Sequence, residues 1–148
     1  MVPLIVLLGG FAALRLLGLA GVDALDHWQA ALRGGLALMF AVTGSAHFTR
    51  PRRDDLVAMV PPALPRPALL VTVTGVLEFA GAAALLLPPV APYAAVALAL
   101  LLLALFPANV SAARRGLTLA GRPVTPLPQR TALQAVFVGA ALAAAVPV

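Results

Sequence analysis

From Pro67 to Leu87 the chain reads PALLVTVTGVLEFAGAAALLL, a run of membrane-spanning length in which Glu78 is the single charged residue. So apolar a segment has no stable place in water, and a carboxylic acid near its middle has none in lipid unless another group meets it. Three more segments reach the roughly 20 apolar residues a spanning helix needs: Gln29 to Phe48, Pro92 to Ala113 and Thr131 to Val146. A fifth, Val2 to Ala20, carries Arg15. Its large apolar residues each favour insertion by roughly half a kcal/mol, against a cost of about 3 for an Arg at mid-helix, so it too is predicted to span. A secretory signal peptide would place basic residues ahead of the apolar run, whereas here Met1-Val2-Pro3 leads straight in. With 62% hydrophobic residues and a mean hydropathy of +1.03, residues 1–148 are too apolar for one water-soluble core of this size. The expectation is an all-α integral membrane helix bundle forming a single domain.

Charge supports that reading. The ten basic residues, all arginine, outnumber five acids, and a net charge of +5 could suit nucleic acid. They lie mostly in loops between apolar segments, which is the arrangement that orients membrane helices, and no nucleic-acid partner is expected. Arg50, Arg52, Arg53 and Arg66 fall between segments two and three; Arg114, Arg115, Arg122 and Arg130 fall between four and five. With alternating helices both loops share one side, so the N-terminus is inside and the C-terminus outside. The all-Arg, Ala- and Leu-rich composition reads as bacterial, which makes the membrane the inner (cytoplasmic) one. Prolines in VPPALPRP and GRPVTPLPQR break both loops, and DDLVAMV, Asp54 to Val60, has room for a short helix at the membrane surface. There is no cysteine, which excludes a disulfide or a dithiol mechanism within the chain.

Ionisable residues in a bilayer are costly, face the bundle interior and pair with one another. Arg33, Thr43 and His47 fall along one stripe of the second helix, since fourteen residues at about 100° each return within roughly 40° of the same face. On the third helix Thr74 lies one turn before Glu78, and Gly75 and Gly81 admit a close neighbour. Arg33 and Glu78 differ by roughly 9 Å in height when each is counted from its outer boundary, a gap a long side chain can largely cross. Arg15 sits at a similar height, so either arginine is a candidate counter-ion. Pro107 in FPAN is expected to kink the fourth helix and free the Leu103 carbonyl, with Asn109 joining the polar cluster. The plainer alternatives are that Asn109 and Gln134 are interhelical hydrogen-bond glue, that His47 is interfacial, and that Glu78 forms a structural ion pair. Trp28 and Tyr93 read as interface anchors. His27 and His47 lie at opposite ends of one helix, no metal-ligand spacing is present, and no metal is expected.

From about Arg33 to Gln134 the ordered series TGSAHF, MVPPALPRP, TGVLEFAGAAALLLP and LFPANV resembles the DoxX-like family of small bacterial membrane proteins. The resemblance implies a four-helix core, to which Val2 to Ala20 is an added N-terminal transmembrane helix. Named members are associated with thiosulfate:quinone oxidoreduction and with membrane complexes that handle oxidative and thiol stress, and His47, Glu78 and Asn109 match the family's recurring polar positions. It does not by itself make the chain an enzyme. The leading expectation is an intramembrane pocket lined by Glu78, His47, Arg33, Asn109, Thr43 and Thr74 for a quinone or similar lipophilic ligand, working with a membrane or soluble redox partner. The rival is a noncatalytic subunit or scaffold whose polar cluster locks packing and whose Arg loops dock a partner protein or anionic lipid. A small transporter is a third reading, disfavoured because no repeat symmetry is visible.

Overall fold

Proline sets several of the helix starts: Pro3, Pro67, Pro92 and Pro128 each sit in a first turn, where the missing N–H removes no helical hydrogen bond. The computed structural model describes residues 1–147. Among the described residues the chain forms six α-helices, α1 (Val2–Leu19), α2 (Trp28–Ala46), α3 (Arg52–Met59), α4 (Pro67–Leu85), α5 (Ala91–Arg114) and α6 (Leu127–Ala144). A 3-10 turn at Asp23–Leu25 joins α1 to α2, and a two-stranded antiparallel hairpin, β1 (Thr118–Leu119) and β2 (Arg122–Pro123), stands between α5 and α6. Among these, α1, α4 and α5 are long and apolar enough to cross a membrane. Large apolar side chains such as Ile5, Leu16, Val76, Leu77, Leu100 and Leu103 are exposed on them, a surface suited to lipid rather than to water.

The packing order is simple. Helix α2 lies against α1, α4 and α6, and α5 lies against α4 and α6, so α2, α4, α5 and α6 close a ring with α1 outside it on α2. Glycine brings α1 close: a Cβ at Gly35 would stand 2.9 Å from the Phe11 amide nitrogen and 3.0 Å from the Leu7 carbonyl oxygen. The buried positions of α4 are Val71, Gly75, Glu78, Ala82 and Leu85, alternating steps of four and three, which is one seam of a helix facing a partner.

That seam fixes the register with α2. Gly44 faces Glu78 and Phe79, and Gly75 faces His47. In this antiparallel register Leu85 is level with Ala37, and Arg33 lies about one turn beyond the end of α4. The height gap between Arg33 and Glu78 is therefore about 16 Å, not 9, because the two helices are staggered rather than flush at their outer ends.

Arg33 consequently goes elsewhere, and the expectation that Arg33 or Arg15 is the counter-ion of Glu78 is overturned. Although only 7% exposed, Arg33 donates from Nε to the Ala144 carbonyl (2.9 Å) and from Nη2 to the Val146 carbonyl (3.1 Å). The first is the last carbonyl of α6 and the second lies two residues past it, both at the negative end of the helix dipole and without a helical donor. Arg15 likewise donates to a carbonyl, that of Asp26, at 2.8 Å.

Side-chain packing is concentrated at this end. The apolar core joins Leu7, Leu36, Phe40, Ala82, Leu85, Ala95, Leu98 and Ala144, and those from α4, α5 and α6 lie toward the Arg33 end of their helices. Buried positions on α6 are Ala141 and Ala144, and those on α5 are Ala91, Ala94, Ala95, Leu98 and Ala99, then Ala112. Between them, the other half of the ring is not filled by side chains.

The opposite end is tied by its loops. Arg115 Nη2 donates to the carbonyls of Ala58 (2.6 Å), Met59 (3.1 Å) and Val60 (3.2 Å), capping α3, and the Ala120 amide donates to Asp55 Oδ2 at 2.8 Å. The two arginine-rich loops thus meet. The hairpin turns at Ala120 (φ 52) and Gly121 (φ 73), the paired left-handed conformation that a two-residue turn of this type requires.

Replacing Arg33 by Met should cost about 2 kcal/mol, from two charge-assisted hydrogen bonds and two orphaned carbonyls. Unfolding in a neutral detergent measures it, with faster amide exchange expected around residues 141–146, at and just past the end of α6.

Candidate functional site

The unfilled half of the ring is a cavity of about 670 Å³. Its walls are largely apolar, with Met39, Phe40, Leu56, Met59, Leu102, Leu105, Leu133 and Phe137 among them, and Met1 to Leu4 of α1 lie at its edge. Of the six residues expected to line a site, Glu78, His47, Thr43, Thr74 and Asn109 border this cavity. Arg33 does not, for the reason of register given above.

Within the cavity wall the acid is met by α2. Glu78 is 4% exposed, and its Oε1 lies 3.3 Å from His47 Nε2 while its Oε2 accepts from Thr43 Oγ1 at 2.5 Å. His47 Nδ1 is 2.8 Å from the Val71 carbonyl oxygen. A carbonyl can only accept, so Nδ1 carries the hydrogen and Nε2 is the nitrogen presented to Glu78. One proton then serves the pair: it sits on Nε2 beside a carboxylate, or on Glu78 beside a neutral imidazole. Thr74 lies 3.3 Å from Nδ1 through its Oγ1, which also donates back to the Leu70 and Val71 carbonyls of its own helix.

Two features place the histidine. Gly75 is the first: a Cβ there would stand 2.5 Å from the His47 Cβ and 2.8 Å from Phe48 Cε2, so only glycine lets α2 end against α4 at this height. Arg53 is the second, a residue that the sequence alone places among the loop charges. From α3 it donates to the His47 carbonyl (2.6 Å), to the Ala68 carbonyl (3.2 Å) and to Thr72 Oγ1 (2.9 Å), joining the end of α2 to the start of α4. A two-turn helix rich in Arg and Asp carries no signal that one of its arginines points inward.

Across the cavity stands a second polar group. Asn109 on α5 accepts through Oδ1 from Arg130 Nη1 of α6, and Arg130 Nε donates to the Thr125 carbonyl at 3.0 Å. Gln134 donates to the Leu102 carbonyl at 2.6 Å, one turn before Pro107, and α5 runs through that proline as a continuous helix from Ala91 to Arg114. Gln134 is therefore a tie between α5 and α6.

The described chain is a helical protein with three helices able to cross a membrane and an amphiphilic cavity at one end of its bundle. It belongs to the family described as Domain of unknown function (DUF8561), whose match covers residues 36–145 and so begins within α2 and leaves α1 outside. No match is found among curated proteins or among solved structures.

Enlarging Gly75 to Leu should separate α2 from α4 and destabilise the fold by about 1–3 kcal/mol or more. Gly139→Leu, at a position with nothing within 4 Å, is the matched control and should leave the unfolding temperature in detergent unchanged.

Proposed function

We propose that the chain is a multi-pass protein of the bacterial inner membrane whose cavity binds a lipophilic ligand with a polar head, a membrane quinone being the candidate. One observation carries the proposal: polar side chains from α2, α4 and α5 converge on a single, mostly apolar cavity whose volume lies within the roughly 300–1,000 Å³ of small-molecule sites. A quinone ring would find a hydrogen-bonding pair in His47 and Glu78, and its tail would lie along the apolar walls. The pair can pass its shared proton to a ligand oxygen, which is general acid work inside a membrane. With no cysteine in the chain, the electrons for quinone reduction would come from a membrane or soluble partner protein.

In this reading α2 and α6 also span, giving five crossings with the N-terminus inside. Both arginine-rich loops meeting at one end supports that orientation. The ring of α2, α4, α5 and α6 with α1 outside is the arrangement that the DoxX-like resemblance implies, with α1 as the added helix. A second reading has its own support: Thr43, His47 and Glu78 satisfy one another, so the cluster could serve only to lock helices in a noncatalytic subunit.

Two experiments follow. Because the chain lacks cysteine, single cysteines report its threading: Asp23→Cys and Pro89→Cys should react with an impermeant maleimide in intact cells, and Arg66→Cys and Arg122→Cys only after lysis. Reaction of the second pair in intact cells would reverse the orientation. For the site, Glu78→Gln should fold and insert as the wild type does and lose the quinone that lipid extraction recovers from the purified protein. Collapse of the variant, with no lipophile in the wild type, would favour the packing lock.

A further inference from the structure

The Arg130 side of the cavity has a charge that no described residue balances. Among the described residues the ion pairs are His47–Glu78 and Arg50–Asp54. Arg130 is partly buried, borders the cavity and bonds only to neutral oxygens, those of Asn109 and Thr125. Arg52, from α3, borders the same cavity and forms no ion pair either. The buried Arg33 is different, since its Nε and Nη2 meet carbonyls at the negative C-terminal end of α6 and it does not border the cavity. A guanidinium beside an apolar cavity with no counter-ion is costly, and a carboxylate or phosphate oxygen matches its forked donors better than any neutral group.

We propose that the Arg130 wall of the cavity is a subsite for an anionic head group, a carboxylate or a phosphate, carried on an apolar chain. Asn109 holds Arg130 through Nη1 and the Thr125 carbonyl holds it through Nε, which leaves Nη2 for the ligand. The chain of such an amphiphile lies against Leu102, Leu105, Leu133 and Phe137. The His47–Glu78 pair is on the other wall, so the anion need not approach the Glu78 carboxylate. This inference rests on the cavity being a lipophile site and narrows which lipophile it prefers.

The test uses the full chain purified in a neutral maltoside detergent and four probes: laurate, dodecyl phosphate, uncharged 1-dodecanol and decylubiquinone, with inorganic phosphate as a head group without a chain. Binding is read by titrated shift of the unfolding temperature. Laurate or dodecyl phosphate should bind at least about tenfold more tightly than dodecanol, the contribution of one charge-assisted contact. The tighter of the two tells a fatty acid from a phosphate-bearing lipid, and tight binding of inorganic phosphate alone would overturn the need for a chain. Arg130→Gln should abolish the preference for anionic probes, Arg130→Lys should retain most of it, and Arg114→Gln, outside the cavity, should leave it intact. If Arg130→Gln fails to fold, the wild-type ranking of laurate against dodecanol still decides. Equal binding of anionic and neutral probes, or binding of decylubiquinone alone, overturns the anionic subsite and leaves the lipophile cavity standing; binding of none of the four chain-bearing probes removes both.

Discussion

The buried Arg33 guanidinium is what closes the ring. It spans from α2 to the carbonyls at the end of α6 and so holds these two helices together at that point. Because an α-helix leaves its final carbonyls without donors, a buried arginine at that point satisfies both partners at once. The apolar core gathers behind this tie, with Leu36, Phe40, Leu85, Leu98 and Ala144 packed together. Toward the other end no comparable tie among the described residues draws α2 onto α6, and the space between them is the cavity.

At that other end polar groups hold the walls in place without filling the middle. Arg53 joins α3 to the ends of α2 and α4, Arg115 caps α3 from the end of α5, and Asn109 meets Arg130 between α5 and α6. Each of these bonds runs along the wall or its rim. Glu78 is held in the same way, by Thr43 and His47 of the helix it packs on, and glycines at 44 and 75 let the two backbones come close enough for those short bonds. A cavity in a small bundle needs its lining satisfied without an occupant, and here neighbours on the wall meet that need, except at the charges of Arg130 and Arg52.

The sequence shows the helices well because hydrophobic length and proline are local signals. Helix starts at Pro67 and near Pro92 fall where the apolar runs begin, and the short helix expected from Asp54 to Val60 runs from Arg52 to Met59. The hairpin at Thr118–Pro123 was less visible, because its turn uses Ala at a left-handed position where Gly or Asn would have advertised it. Partners are a harder matter. Counting residues from each helix boundary assumes that helices end flush, and the stagger between α2 and α4 is invisible to that count. It moves Arg33 out of reach of Glu78 and brings Thr43 and His47 level with it instead.

Taken alone, the amino-acid sequence determined that this chain forms long apolar helices, that an acid sits inside one of them, and that Thr43 and His47 share a helical face able to meet it. Those properties follow from composition and from the 3.6-residue period, which act within a single segment. Which group meets which was decided by the tertiary structure, since interhelical register depends on where glycines allow contact and on which carbonyls lack donors. The same packing separated a filled half of the bundle from an open one, and so turned scattered polar residues into the lining of one cavity.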